Sequence, residues 1–328
     1  MAKKIQSVMP ALMLAFGLSL AGCGNTAPGP DGQPQAGDSH TSPIGIVHVW
    51  IPAGTFTMGS PQDEIGRFEN EGPQRQVTIS QGFWMGAYPV MQEQWERVMG
   101  GNPSHFSANP APGETQGRRP VEWVSWYDAI VFANRLSIME GLTPAYSING
   151  STNPDDWGAV PSLWNTLWDA AEIVPGSSGW RLPTEAQREY AARAGTESAF
   201  SDGTQSWENQ AALDFIGWFN FNSGSMTREA GRRQANPWGL HDMHGNVWEW
   251  VWDWHGAYPF QAQTDPLGAY FGPGRVARGG GWDLSALGAR SAARGGAEPF
   301  NRFNVMGLRL VRPQGEVTSL DLQVTMLE

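Results

Sequence analysis

The sequence predicts an α+β domain, irregular and rich in loops, with twisted antiparallel sheets and two main helices. Three observations carry this. The 328 residues include 41 glycines, 24 prolines and 17 tryptophans but few long aliphatic runs, so the core must be built from aromatic rings and short segments between turns. Apolar and polar residues alternate in short blocks, as half-buried strands require. Two further segments open with helix-capping residues and continue with apolar residues at helical spacing.

Lys3 and Lys4 precede an apolar stretch, residues 8–20, that closes in Leu20-Ala-Gly-Cys23. This is the layout of a signal peptide with a lipobox, and the stretch is shorter than the roughly 20 apolar residues a membrane span needs. Residues 1–22 are expected to be removed and Cys23, the only cysteine, to carry a lipid that anchors the protein at the outer membrane or cell surface. A single cysteine permits no disulfide within the chain. Residues 24–42, rich in Gly, Pro, Asp, Ser and Gln, read as a flexible tether, and residues 43–328 as one domain.

Residues 46–58 alternate around Pro52-Ala-Gly54 and predict a two-strand hairpin, with a second strand pair at 75–79 and 83–88. Pro89 and Gly100-Gly101 bracket a helix over 91–99. Ser125 as N-cap, Asp128 three residues on, and Trp126, Ile130, Ala133 and Leu136 predict a helix over 125–140. Thr184 and Gln187 form a capping box for a helix that stops at Gly195. Both of these helices are expected to be amphipathic and to lie against a sheet. Residues 141–179 lack a strong period and read as a long surface excursion, partly strand. Residues 200–225 read mostly as loop, and the tail 316–328 alternates as an edge strand would.

The 32 acidic against 21 basic residues leave a formal charge of −11, and Lys3 and Lys4 are the only lysines. Such a surface is a poor match for phosphates or anionic headgroups, so nucleic acid is not an expected partner. Catalytic signatures are absent from the sequence pattern. There is no Gly-x-Ser-x-Gly elbow, and Gly279-Gly-Gly281 is followed by neither a lysine nor a helix start, so it suits strands in close approach better than a phosphate. His241 and His244 lie three apart with no cysteine or third histidine at a convincing spacing, and read as turn or core residues rather than a zinc site.

Three phrases carry a family resemblance: Trp50-Ile-Pro-Ala-Gly-Thr-Phe-Thr-Met-Gly59; Asn236-Pro-Trp-Gly-Leu-His-Asp-Met-His-Gly-Asn-Val-Trp-Glu-Trp250; and Arg275-Val-Ala-Arg-Gly-Gly-Gly-Trp282 with Arg290-Ser-Ala-Ala-Arg294 and Gly307-Leu-Arg-Leu-Val311. Together they resemble the formylglycine-generating enzyme family, a branch of the C-type lectin fold, nearly throughout 50–311. The resemblance implies that fold. In the family's oxidases two cysteines follow the tryptophan by two and seven residues and bind copper. Those positions are Leu284 and Ala289 here, so copper and the oxidase chemistry are not expected. Several members bind a structural calcium, and its ligands, carried over by position, fall on Asp242, Gly245, Val247 and Glu249, with Asp242 where the family has asparagine. Oxygen donors on a glycine-bearing turn suit calcium. The alternative is that Asn246 and Glu249 only satisfy backbone groups of the turn.

Within residues 275–312 two kinds of position alternate. Arg278, Gly279, Gly280, Trp282, Arg290, Arg294, Arg302, Gly307 and Arg309 match the family frame. Gly281, Asp283, Leu284, Ser285, Leu287, Ala289, Ala293, Gly295, Gly296, Phe300, Phe303 and Val305 do not read as chosen for burial. This layout is similar to the variable regions of lipoproteins written by diversity-generating retroelements, in which template adenines are copied with errors. The resemblance implies a surface-displayed binder whose ligand, a protein or cell-surface structure, meets these intervening residues; a monomer is expected, and the alternatives are a fixed envelope scaffold lipoprotein or a redox enzyme with an unrecognised metal site. Side chains on loops between fixed frame positions can change without loss of the core.

Overall fold

The computed structural model describes residues 34–314. The expected signal peptide, the lipid site Cys23 and the tail 316–328 lie outside the described residues. Among the described residues no helix is long and apolar enough to cross a membrane.

The first strands are β1 (Ser39–Thr41), β2 (Val47–Ile51), β3 (Gly54–Met58), β4 (Arg75–Ile79) and β5 (Phe83–Gly86), followed by helices α1 (Gln92–Met99) and α2 (Trp126–Met139). Short elements come next: β6 (Tyr146–Ser147), α3 (Thr166–Asp169), β7 (Glu172–Ile173), helix α4 (Glu185–Arg193), α5 (Gln210–Leu213), β8 (Gly217–Trp218) and β9 (His244–Gly245). The chain ends in β10 (Trp248–Trp254), β11 (Gln263–Thr264), β12 (Arg275–Arg278), β13 (Arg294–Ala297), β14 (Met306–Leu308) and β15 (Val311–Pro313).

Two four-stranded sheets, β1-β2-β5-β15 and β13-β12-β10-β14, and one three-stranded sheet, β11-β4-β3, organise the molecule. Most pairings are antiparallel, but β14 joins β10, and β11 joins β4, in parallel. The strands at 47–58 and 75–86 form where the alternation placed them, but with different partners. β2 pairs with β5 and β3 with β4, so neither expected hairpin closes. Pro52 and Ala53 carry the chain from one sheet to another instead of turning it back. Strand β1, in the segment read as tether, pairs with β2, and Ile44 and Ile46 enter the core, so the folded part begins earlier than composition indicated.

The helices start where their caps predict. Ser125 Oγ accepts the Asp128 amide at 3.0 Å while Asp128 accepts the Ser125 amide at 2.8 Å. In α4, Thr184 and Gln187 exchange the same pair of bonds, both at 3.1 Å. α2 buries Trp126, Ile130, Phe132 and Leu136 against Trp250 and Trp252 in the main core. α4 is not amphipathic: all nine of its residues are buried, four of them charged. Nor is 141–179 a surface excursion throughout. Trp157 and Trp168 are buried in the main core, packed edge to face.

Candidate ligand-binding face

A helix buried on every side must neutralise its charges internally, because water cannot. α4 does so with arginines from the C-terminal stretch. Glu185 accepts both Nε and Nη2 of Arg294 at 2.7 Å, Glu189 accepts Arg278 and Arg193, and Arg188 donates to Glu249 at 2.6 Å. Arg309 completes Glu249 with Nη2 at 2.8 Å. A second node forms where Arg290 donates to Glu64 and Glu71, the latter fully buried. Burial alone would raise the Glu249 carboxyl, but the guanidiniums of Arg188 and Arg309 outweigh it and hold it below the usual carboxylate range.

These arginines also hold irregular backbone. Arg278 donates to the carbonyls of Ser291 and Ala293 (3.3 and 2.7 Å), Arg290 to those of Gly66 and Leu287 (2.8 and 3.0 Å), and Arg294 to those of Asn70 and Gly256 (3.1 and 2.8 Å). Such carbonyls have no strand partner, and a buried one left unpaired is costly. Arg275 is clamped between the rings of Trp126 and Trp254, 3.7 and 3.8 Å from their centroids. Glycine completes the frame where backbones meet: a Cβ on Gly307 would stand 2.5 Å from the Val121 carbonyl oxygen, and Gly280 has φ +76°.

The intervening residues ride on this frame. Asp283, Gly296, Leu284 (40% exposed) and Phe303 (43% exposed) face solvent. Ser285, Leu287, Gly295, Phe300 and Val305 are half-buried. Three expected contact residues do not reach the surface. Gly281, Ala289 and Ala293 are buried, and Ala289 packs with Phe200, Leu213 and Phe219 in a small separate core. Their small size reflects lack of room under the loop, so they are not ligand contacts in this arrangement.

Aromatic rings that sequence reasoning passed over form the ground between these side chains. Trp248, half-buried at the start of β10, lies beneath three glycines: a Cβ on Gly281, Gly288 or Gly295 would stand 3.1, 3.6 or 3.3 Å from its indole. Its amide donates to the Val305 carbonyl at 2.8 Å. Trp123, 43% exposed and in a left-handed conformation (φ +66°), donates its amide to the Phe303 carbonyl at 3.0 Å. Trp164 stacks on Trp254 and meets Phe300 edge to face at 5.8 Å. The one available signal was the abundance of tryptophan, which does not say which rings reach the surface.

The residues carried over as calcium ligands do not fit the ion. Both Glu249 oxygens accept guanidinium protons from Arg188 and Arg309, so the expected carboxylate ligand is already neutralised by two fixed cations. Asp242 is buried, with Oδ2 accepting the Gly231 amide at 2.7 Å and Oδ1 the Asn246 side chain at 3.3 Å. Burial pushes its carboxyl up despite the Gly231 amide and the nearby Arg309 charge. Gly245 and Val247 shape the turn: the Gly245 amide donates to Gly279 at 2.7 Å and Val247 is buried beside Gly307. Among the described residues no group of three or more His, Cys, Asp or Glu side chains is placed to hold a metal.

The two histidines are spent on structure. His244, fully buried, bonds the Ala289 carbonyl and Ser201 Oγ at 2.8 and 2.9 Å, and burial lowers its pKa to about 4. His241 stacks on Tyr88.

The profile described as the sulfatase-modifying factor enzyme 1-like domain matches residues 38–314, and the chain belongs to that family, with the C-type lectin fold of the formylglycine-generating type. It is 36% identical over 256 residues to a Paenibacillus barcinonensis protein named chaperone protein LppX, covering 73% of this chain and 82% of that one. It is 30% identical over 260 residues to the formylglycine-generating enzyme of Thermomonospora curvata, covering 71% and 81%. Among solved structures, Treponema denticola variable protein 1 aligns with a TM-score of 0.75 at 38% identity, covering 84% of this chain and 98% of that one. PvdO from Pseudomonas aeruginosa aligns at 0.61 and 26%, covering 85% and 99%.

Proposed function

We propose that this protein is a surface-displayed lipoprotein, anchored through Cys23, that binds a protein or cell-surface ligand through a diversified face, as the variable protein of a diversity-generating retroelement. The observation that carries the reading is the division of labour within residues 278–309. There the frame arginines are committed to carboxylates and carbonyls in the interior, while Asp283, Leu284 and Phe303 are exposed between them and Phe300 is half-buried. The likeness to Treponema denticola variable protein 1 supports it. Exposed aromatic and aliphatic tips over a rigid base are what a protein-binding surface needs. The protein is proposed to act as a monomer and without catalysis: Leu284 and Ala289 offer no thiolate at the oxidases' copper positions.

The test is deep sequencing of the gene's 3′ end in a clonally expanded population, with a search of its neighbourhood for a near-repeat. Substitutions confined to 281–305 and traceable to template adenines are expected. An invariant stretch with no template copy would overturn the reading. It would favour a fixed envelope lipoprotein with a scaffold or chaperone role, the alternative to which the similarity to the protein named LppX points.

A further inference from the structure

Arg278, Arg290, Arg294 and Arg309 each pair with a carboxylate, but three other buried arginines, Arg75, Arg119 and Arg275, form no ion pair among the described residues. Arg119 donates instead to Thr227 and Gln116, and Arg275 to the carbonyls of Trp252 and Asp169. Arg75 is held more sparsely. Its Nε donates to Gln263 Oε1 at 3.3 Å, its Nη1 is buried without a partner, and its guanidinium lies over the Tyr258 ring, 3.7 Å from the centroid. Burial lowers its pKa from the ordinary arginine value, against the pull of Tyr258, Glu185 and Glu189. The same side chain lines a cavity of about 140 Å³ bounded by β3, β4, the start of α4 and the loop after β10. One water takes about 30 Å³ in the liquid, so this space exceeds what a single bound water fills. Ala257 and Gly268, both exposed, form part of its wall, so it opens to solvent.

We propose that this cavity receives a carboxylate carried on a short aliphatic stem, an acidic side chain of a protein partner or a free small carboxylic acid, with Arg75 as its counter-charge. Two carboxyls also line the cavity, and neither compensates Arg75. Glu185 is spent on Arg294, whose Nε and Nη2 it accepts at 2.7 Å, and on the Tyr258 hydroxyl at 2.9 Å. Asp253 accepts the Glu185 amide at 2.7 Å, and burial together with the Glu185 charge raises its pKa to about 7, so below that value it keeps its proton. A buried cation without a paired anion is costly, and a guanidinium matches the two oxygens of a carboxylate in geometry as well as charge. The rest of the lining fits the stem. Met58, Ala186, Pro259, Pro266 and Ala269 give it an apolar wall, which suits an organic acid better than a hydrated inorganic anion. Apart from Arg294 the site lies outside residues 278–309, so it stands or falls separately from the diversified face.

The test is calorimetric titration of the purified full chain at pH 6, where Asp253 keeps its proton, with ionic strength held by sodium chloride. Propionate and N-acetylglutamate methylamide are the probes, and propionamide is the neutral control. Saturable binding of propionate, a higher melting temperature in its presence and no binding of propionamide are expected. Arg75→Met should weaken propionate binding at least tenfold without lowering the melting temperature of the free protein, because Arg75 has no carboxylate partner to leave behind. Ala269→Leu keeps Arg75 but fills the cavity, and should abolish binding as well, which decides the matter should Arg75→Met fail to fold. The probes also separate the two sources of the carboxylate: binding of both supports an acidic side chain, and binding of propionate alone a free small acid. Absence of saturation, equal binding of propionamide, or propionate binding that survives Ala269→Leu would each overturn the proposal.

Discussion

Residues 278–309 contain two populations that share one stretch of chain and differ in what holds them. Arg278, Arg290, Arg294 and Arg309 are buried and engage carboxylates far away in sequence, whereas the side chains of Asp283, Leu284 and Phe303 are exposed and that of Phe300 is half-buried against Trp164. The contrast teaches that in a loop-rich fold the fixed element can be a set of guanidiniums rather than a sheet. Its sharpest test is Arg290→Met. This leaves Glu71, with no exposed surface, and Glu64 without their cation, and should cost about 3–5 kcal/mol in urea unfolding. Adding Glu71→Leu should recover part of that loss. A cost below about 1 kcal/mol would break the distinction between the two populations.

Glu122, next to the rim residue Trp123, shows what a buried carboxylate does outside the arginine frame. Its Oε1 accepts the Phe106 amide at 2.8 Å, while Oε2 has no partner. Burial raises its pKa from 4.5 to about 7, against the opposing pull of the Phe106 and His105 amides and Arg119. Between those two values the folded chain keeps a proton that the unfolded chain releases, so this residue's contribution to stability falls as pH rises from about 4.5 to about 7. Glu122→Gln should remove that decline, a gain of at most about 3 kcal/mol at pH 8 relative to pH 4. Comparing variant and parent by urea unfolding at each pH isolates it, because His244, lowered to about 4, contributes the opposite slope below 6.5.

A smaller effect separates two glycines that look alike in sequence. Gly307→Ala would drive a methyl to 2.5 Å from the Val121 carbonyl, a backbone atom with nowhere to go, and should cost about 1–3 kcal/mol. Gly288→Ala places its methyl at 3.4 Å or more from Leu284 and Trp248, ordinary contact, and should be close to neutral. Thermal unfolding of the two variants side by side checks whether the frame, and not glycine content as such, is what the fold requires.

How much of this was legible follows the reach of each interaction. The capping boxes of α2 and α4 were readable because a cap joins residues three apart, and the frame and intervening positions separated by resemblance alone. Strand partners were not readable: β2, β3, β4 and β5 all have the right alternation, and nothing within them says that β2 takes β5, 38 residues away by the register His48↔Gly86. The same limit misled the reading of Glu249. Its turn looks like a cation site locally, but its partners Arg188 and Arg309 arrive from about 60 residues on either side. The absence of lysine from the domain was a usable signal, since a chain that keeps only arginine as its base favours fixed, multiply bonded cations.

The smallest expected effect on stability is also the most informative about the face. Leu284→Ala and Phe303→Ala remove side chains that are 40% and 43% exposed, and each should change unfolding free energy by no more than about 0.5–1 kcal/mol. For a ligand that seats on these tips, the same truncations should weaken binding by about 1–2 kcal/mol each, a factor of roughly 5–30 in dissociation constant. Differential scanning fluorimetry with binding measured on the same samples separates the two readouts. If either truncation unfolds the protein as Arg290→Met is expected to, then that side chain belongs to the frame, and the boundary between what is fixed and what is free must be redrawn around it.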